Sequence, residues 1–178
     1  MSKILISGFG GQGILFAGKF LAYEGLLRGR EVSWLPSYGP EMRGGTANCS
    51  VIISDTPIGS PIVDKPDILI AMNLPSLDRF EDAVCSGGMI FIDSSLVDRN
   101  VVRKDVESFL IPCTRLAHEH DLDGLANMIM LGMVIRRSGV IPYDAVPDAM
   151  EKVVSDKRSH LRALNLKAID LGYNYQNI

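Results

Sequence analysis

The sequence predicts an α/β fold: a three-layer, mainly parallel sheet flanked by helices, with a helical C-terminal third. Three observations carry that expectation. Short apolar runs of strand length alternate with helix-length segments over the first two thirds of the chain. A G-x-G-x-x-G spacing at Gly8, Gly10 and Gly13 joins the first such run to the first helical one, as in the turn that opens a βαβ unit. From Leu125 onward only helical spacing remains.

Each element has its own local signal. Ile4–Ser7 is an apolar strand, and Gln12–Gly29 carries Ile14, Leu15, Ala17, Leu21, Leu26 and Leu27 at helical spacing. Val32–Leu35 reads as the second strand. Asn48–Ser54, behind Gly44-Gly45 and rich in β-branched residues, reads as the third. The turn composition of Thr56-Pro57-Ile58-Gly59 after it suggests antiparallel pairing there. Asp67–Met72 and Met89–Asp93 are buried strands with a helix over Pro75–Cys85 between them, and a further strand is expected near Phe109–Ile111. The last third divides into helices Leu125–Arg137, Tyr143–Val154 and His160–Leu171, with Gly139, Pro142 and Gly172 as the stops. The 178 residues suit one domain, 1–178, with a core of its own.

Composition excludes several classes of function. Net charge is −3 and the isoelectric point is near 5.6. The basic residues are scattered in pairs (Arg28/Arg30, Arg136/Arg137, Lys157/Arg158) and form no stripe, which argues against nucleic acid. The longest apolar run, Met128 to Ile135, is far shorter than the roughly 18 residues of a membrane span. The start, Met-Ser-Lys and then a strand, has no apolar leader, so a cytoplasmic protein is expected. Cys49, Cys85 and Cys113 lie far apart in apolar segments with no C-x-x-C. They read as small buried hydrophobes, and no metal site is expected.

The glycine turn has the form of a dinucleotide site, in which glycines let the backbone approach a pyrophosphate and the helix N-terminus supplies N–H groups. Gly8, Gly10, Gly11, Gln12 and Gly13 could do this. A nicotinamide site also needs an acid at the end of the second strand to hold the ribose. That strand ends Trp34-Leu35-Pro36-Ser37-Tyr38, while Glu31 stands at its start and Glu24 inside the helix. No G-K-[ST] closes the turn for Walker-type binding. A structural turn, or one that faces an anion or a partner, remains.

The stretch after the second strand holds Ser37, Tyr38, Gly39, Pro40, Glu41, Met42, Arg43, Gly44 and Gly45. It begins at the carboxyl end of a strand, the edge where open α/β sheets take ligands. Arg43 is suited to a bidentate grip on carboxylate or phosphate; a solvated turn is the alternative. Weaker candidates are His118-Glu119-His120-Asp121, whose histidines at i, i+2 cannot share a helix face, and Ser94-Ser95, which no general base accompanies. Asn48 and Asn127 are polar residues in apolar stretches and are expected to satisfy backbone groups. No catalytic residue is identified.

Three segments, "SGFGGQGILFAGKFLA" (7–22), "SYGPEMRGGTANCSVIIS" (37–54) and "PDILIAMN" (66–73), together resemble the gamma subunit of 2-oxoacid:ferredoxin oxidoreductases. The likeness extends through "LANMIMLG" (125–132). Trp34-Leu-Pro-Ser-Tyr-Gly-Pro-Glu-Met-Arg43 is similar to the 2-oxoglutarate or branched-chain 2-oxoacid subtypes and less so to pyruvate enzymes. The resemblance implies a multi-subunit enzyme that converts a 2-oxoacid and coenzyme A to acyl-CoA, CO2 and reduced ferredoxin. It places thiamine diphosphate between alpha and beta subunits and iron–sulfur clusters in beta and delta subunits, with no cofactor bound by this chain alone. The two glycine-rich stretches would face alpha and beta and help form the coenzyme A approach, with Gln12, Tyr38, Glu41 and Arg43 as the polar members. Such a partner-facing surface leaves homodimerisation of the isolated chain open. The rival readings are a stand-alone nucleotide-binding oxidoreductase domain and a small coenzyme A- or acyl-binding protein.

Overall fold

The structure is a computed structural model, and it describes residues 1–37 and 47–176. Its elements are β1 (Ser2–Gly8), α1 (Ile14–Leu27), β2 (Glu31–Ser37), β3 (Ala47–Ser54), β4 (Ile68–Ala71), α2 (Leu74–Phe80), β5 (Met89–Asp93), β6 (Glu107–Ile111), α3 (Cys113–Glu119), α4 (Ala126–Ser138), α5 (Val146–Val153) and α6 (His160–Asn174). The strands form one six-stranded sheet in the order β2-β3-β1-β4-β5-β6. The run from β1 through β4 and β5 to β6 is parallel, while β3 is antiparallel to both β1 and β2.

The antiparallel strand expected over Asn48–Ser54 is therefore present, for a different reason. Only residues 38–46 separate β2 from β3. That is too few for the crossover a parallel pair requires, so the chain must reverse. The turn composition at Thr56–Gly59 is not what sets the direction. The outcome places β3 between β1 and β2, so all five other strands run the same way.

Alternation along each strand sorts side chains into two cores. Ile4 and Ile6 of β1, Cys49, Val51 and Ile53 of β3 and Ile68 and Ile70 of β4 face the larger one, with α1, α3, α4, α5 and α6. Leu5, Leu69, Ala71, Ile90 and Ile92 face the smaller one, packed with Leu77 of α2, Val84 and Val97. The three layers are thus unequal. Helix α4 is buried from Asn127 to Ile135, as expected of a helix apolar on all sides. It lies between the sheet and α6.

Several boundaries differ from the sequence reading. Gly139 does cap α4, in the left-handed region at φ 61°. Gly172, read as a stop, lies inside α6. A Cβ there would collide with the backbone of Ile129, so this glycine serves close helix contact. The helix expected over Pro75–Cys85 breaks at Phe80 into a 3-10 turn, Glu81–Ala83, because Glu81 turns inward. Its carboxylate accepts from Val102 N–H (2.6 Å) and Arg99 Nη1 (2.7 Å), pinning the β5–β6 connection. Tyr143–Val154 likewise begins as a 3-10 turn, Tyr143–Ala145, before α5. Helix α3 has no counterpart in the sequence reading: its polar His118–Asp121 end masks the helical pattern, whereas Cys113, Leu116 and Ala117 bury its other face. Among the cysteines, Cys49 and Cys113 are buried as expected, but Cys85 is half-buried.

Candidate functional site

The carboxyl edge of the sheet gathers the first glycine turn and both described ends of the second glycine-rich stretch. Gly8 ends β1 opposite Ala47, the first residue of β3, and Ser37 ends β2 opposite Asn48. Ser37 and Ala47, the described residues on either side of 38–46, therefore both lie at the sheet edge where Gly8 ends β1. Tyr38, Gly39, Pro40, Glu41, Met42, Arg43 and Gly44 lie outside the described residues.

The turn itself is built by glycine conformation and one side chain. Gly11 (φ 94°) and Gly13 (φ 71°) occupy the left-handed region, where a Cβ is strained. Gln12 N–H donates to Phe9 O (3.2 Å) to close the turn. The Gln12 side chain folds back: Oε1 accepts from Phe9 N–H (2.6 Å) and Nε2 donates to Met72 O (3.1 Å) at the end of β4. Gln12, expected as a ligand- or partner-facing group, is thus engaged in clamping the turn to the sheet. Gly10 and Gly11 are exposed and Gly8 is buried. Phe9 stands on the turn 41% exposed.

Beyond the turn, α1 begins at Gly13 with no side-chain cap and no acid in its first turn. Its leading N–H groups have no intrahelical partner, and the dipole favours negative charge there. Asn127, in the first turn of α4, meets the same point. Its Nδ2 donates to Gly13 O (3.1 Å), as expected of an amide satisfying backbone, but Oδ1 is buried with no partner among the described residues. Two helix N-termini and an unpartnered acceptor converge on Gly13, which suits an anionic ligand that also carries a hydrogen-bond donor. The sequence signal for this pairing was an amide in an apolar run, and nothing local to it named Gly13.

Several other polar groups at this edge are occupied. Ser7 Oγ lies 2.9 Å from Ser76 Oγ, and Asn73 caps α2 by accepting from Ser76 N–H (2.9 Å). Asp93, fully buried at the end of β5, accepts from Ser95 N–H (3.0 Å) and Thr114 Oγ1 (2.6 Å). The Ser94-Ser95 edge is thereby a structural tie. On the opposite sheet face from α1, a cavity of about 260 Å³ is lined by Ser37, Asn48, Ser50, Arg79 and Phe80 among others. The Arg79 guanidinium carbon lies 5.2 Å from the centre of the Phe80 ring. Arg79 brings a cation near Ser37 that the sequence, 42 positions apart, did not disclose.

Thiol chemistry is not poised here. Burial pushes the Cys49 thiol up to about 12 despite a contact from Trp34, and burial also holds the Cys113 thiol well above its ordinary value. Neither forms the thiolate that a nucleophile or metal ligand requires at neutral pH. Among the described residues no three His, Cys, Asp or Glu side chains could hold a metal ion. The His118 side chain is 84% exposed, with Nδ1 lying 3.4 Å from Asp123 Oδ1. Glu31, the acid of β2, stands at the strand's far end from the glycine turn, so no described acid reads a ribose there. No helix among the described residues is long and apolar enough to cross a membrane.

The pattern of the pyruvate ferredoxin/flavodoxin oxidoreductase family matches residues 3–175. The chain is 39% identical over 97% of its length to the ketoisovalerate oxidoreductase subunit VorA of Methanothermobacter marburgensis, and it spans 36% of that protein. It is 38% identical to the 2-oxoglutarate synthase subunit KorC of Methanocaldococcus jannaschii, over 96% of this chain and 91% of that one. Among solved structures, the gamma subunit of a keto/oxoacid ferredoxin oxidoreductase from Geobacter sulfurreducens superposes with a TM-score of 0.83 at 28% identity, covering 97% and 96% of the two chains.

Proposed function

The chain belongs to the pyruvate ferredoxin/flavodoxin oxidoreductase family, and from that premise we propose that it is the gamma subunit of a cytoplasmic 2-oxoacid:ferredoxin oxidoreductase. The complex converts a 2-oxoacid and coenzyme A to acyl-CoA, CO2 and reduced ferredoxin. Its 2-oxoacid is 2-oxoglutarate first and a branched-chain 2-oxoacid second; relatives named for each are almost equally similar to this chain. Thiamine diphosphate and the iron–sulfur clusters belong to alpha, beta and delta companions, and this chain is not catalytic alone.

The observation that carries the reading is the strand register that sets Gly8 against Ala47 and Ser37 against Asn48. It supports one composite edge made of the Gly8–Gly13 turn and the 37–44 stretch. Residues 8, 10, 11 and 13 present backbone and helix N-terminus to a phosphate-bearing ligand such as coenzyme A. Gln12 holds them in place, and Arg43 supplies the fork for a phosphate or a sister-subunit carboxylate. Conformational freedom of the turn is reduced by the Gln12 clamp before any partner arrives, which lowers the ordering cost of association.

Affinity capture of the tagged chain from its native host tests this. Alpha- and beta-type companions should co-purify, and the assembled complex should reduce ferredoxin when given coenzyme A and 2-oxoglutarate, less so with a branched-chain acid. Capture of the chain with no such companions, or micromolar binding of a nicotinamide nucleotide to it, would overturn the reading.

A further inference from the structure

A second concavity opens between α1 and the α5–α6 connection, with a volume of about 520 Å³, within the range of small-molecule sites. None of the glycine-turn residues lines it. Its walls are of two kinds. Phe16 of α1, Val153 at the end of α5 and Leu161 of α6 make an apolar side. Lys19, Lys157 and Arg158 make a basic one, and no carboxylate lines the cavity.

The charge there is uncompensated. Lys157 and Arg158 enter no ion pair among the described residues, and Lys19 is held only over the Tyr23 ring, 5.4 Å from its centre. The nearby Asp156 is taken by Arg162 at 2.7 Å. Helix α6, 15 residues long, starts at the cavity with no side-chain cap and no acid in its first turn, so its positive dipole end adds to the same field. In a chain of net charge −3 this concentration of positive charge stands apart.

Asn165 supplies the independent sign of a ligand. It lines the cavity, is 3% exposed, and donates from Nδ2 to Leu161 O (2.7 Å). That bond fixes the amide with Oδ1 as the free end, and Oδ1 is buried without a partner among the described residues. A buried acceptor is normally satisfied. An N–H or O–H from a bound molecule would satisfy this one.

We propose that this cavity binds a small organic phosphate. The phosphate lies among Lys19, Lys157 and Arg158, beside the positive end of α6. Its organic body lies on Phe16, Val153 and Leu161, and one hydroxyl or N–H donates to Asn165. Several cations and a helix terminus suit a dianion better than a single carboxylate. The site adds to the subunit assignment and does not depend on it.

Titration calorimetry on the full chain tests this with adenosine 5′-monophosphate, and with adenosine and inorganic phosphate as half-ligands. The nucleotide should bind saturably with Kd below ~1 mM, each half at least ~10-fold more weakly. Lys157→Ala combined with Arg158→Ala changes two surface residues; it should weaken nucleotide binding ~10-fold or more, about two charge-assisted contacts, without moving Tm. Asn165→Leu should weaken the nucleotide but not inorganic phosphate. Absence of saturable nucleotide binding or unchanged affinity in the double variant would each sink the proposal, and neither result bears on whether companions co-purify.

Discussion

Gly132 of α4 and Gly172 of α6 lie against one another where the two helices cross. A Cβ on Gly132 would land on the α6 backbone at Ile169, Tyr173 and Gly172 itself, and one on Gly172 would land on the backbone of Ile129. No flexible side chain is available to swing aside. The closeness of this crossing lets α6 cover the apolar surface that α4 turns away from the sheet, where Ile169 and Ala168 are fully buried.

Gly172→Ala should therefore destabilise the chain, by about 1–3 kcal/mol if the helices separate as a locally overpacked core does. For a domain of this size that is a fall of about 2–4 °C in Tm per kcal/mol. Ala is the better helix former, so an exposed glycine would respond with the opposite sign. A Tm that rises in Gly172→Ala would show that the crossing is looser than described.

Gln12 joins the glycine turn to β4 by accepting from Phe9 N–H and donating to Met72 O. Gln12→Ala removes these two hydrogen bonds and a longer third, donated by Asn73 Nδ2 to Gln12 Oε1 (3.4 Å), so about 1–3 kcal/mol of stability is at stake. The sharper measurement is amide hydrogen exchange. Phe9 N–H should lose protection in the variant while the α6 core amides change only with global stability. Unchanged protection at Phe9 would mean that the glycines hold the turn without Gln12.

Glu24 on α1 carries a pH dependence. Its side chain is 2% exposed and paired with Arg28 at 2.6 Å. Burial nevertheless outweighs the guanidinium and raises its pKa above 4.5. The folded chain then holds this proton more tightly than the unfolded one. The contribution favours folding below about pH 4.5 and is lost as pH climbs through the raised native value. In Glu24→Gln that loss is absent, so urea midpoints of variant and parent should move in the variant's favour as pH rises above about 4.5. A constant gap across that range would show that Arg28 fully offsets the burial.

Arg43 is the residue of the 37–44 stretch with the most specific chemistry. Lysine keeps its charge and loses the bidentate fork. In the reconstituted complex, Arg43→Lys should lower turnover or raise the KM for coenzyme A by ~10-fold or more, the scale of one charge-assisted hydrogen bond. The Tm of the free chain should stay within about 1 °C, because Lys keeps the charge and most of the side-chain length. Normal turnover together with a destabilised free chain would assign Arg43 a structural role.

Local pattern was enough for the sheet. Apolar runs such as Ile68–Ala71 and Met89–Asp93 are buried on both faces, so they read as strands wherever they occur, and a nine-residue connection cannot return a strand parallel to its neighbour. The Gly8–Gly13 turn was legible too, since glycine takes the left-handed conformation of Gly11 and Gly13 without strain. Tertiary packing alone assigned the partners of these residues. Gln12 finds Met72 across 60 positions, and Asn127 finds Gly13 across 114. Gly172 reads as a helix stop until α4 is laid against it. Such contacts are set by strand order and helix crossing, and a hydrogen bond or a shared van der Waals surface between distant segments leaves no periodicity in the chain.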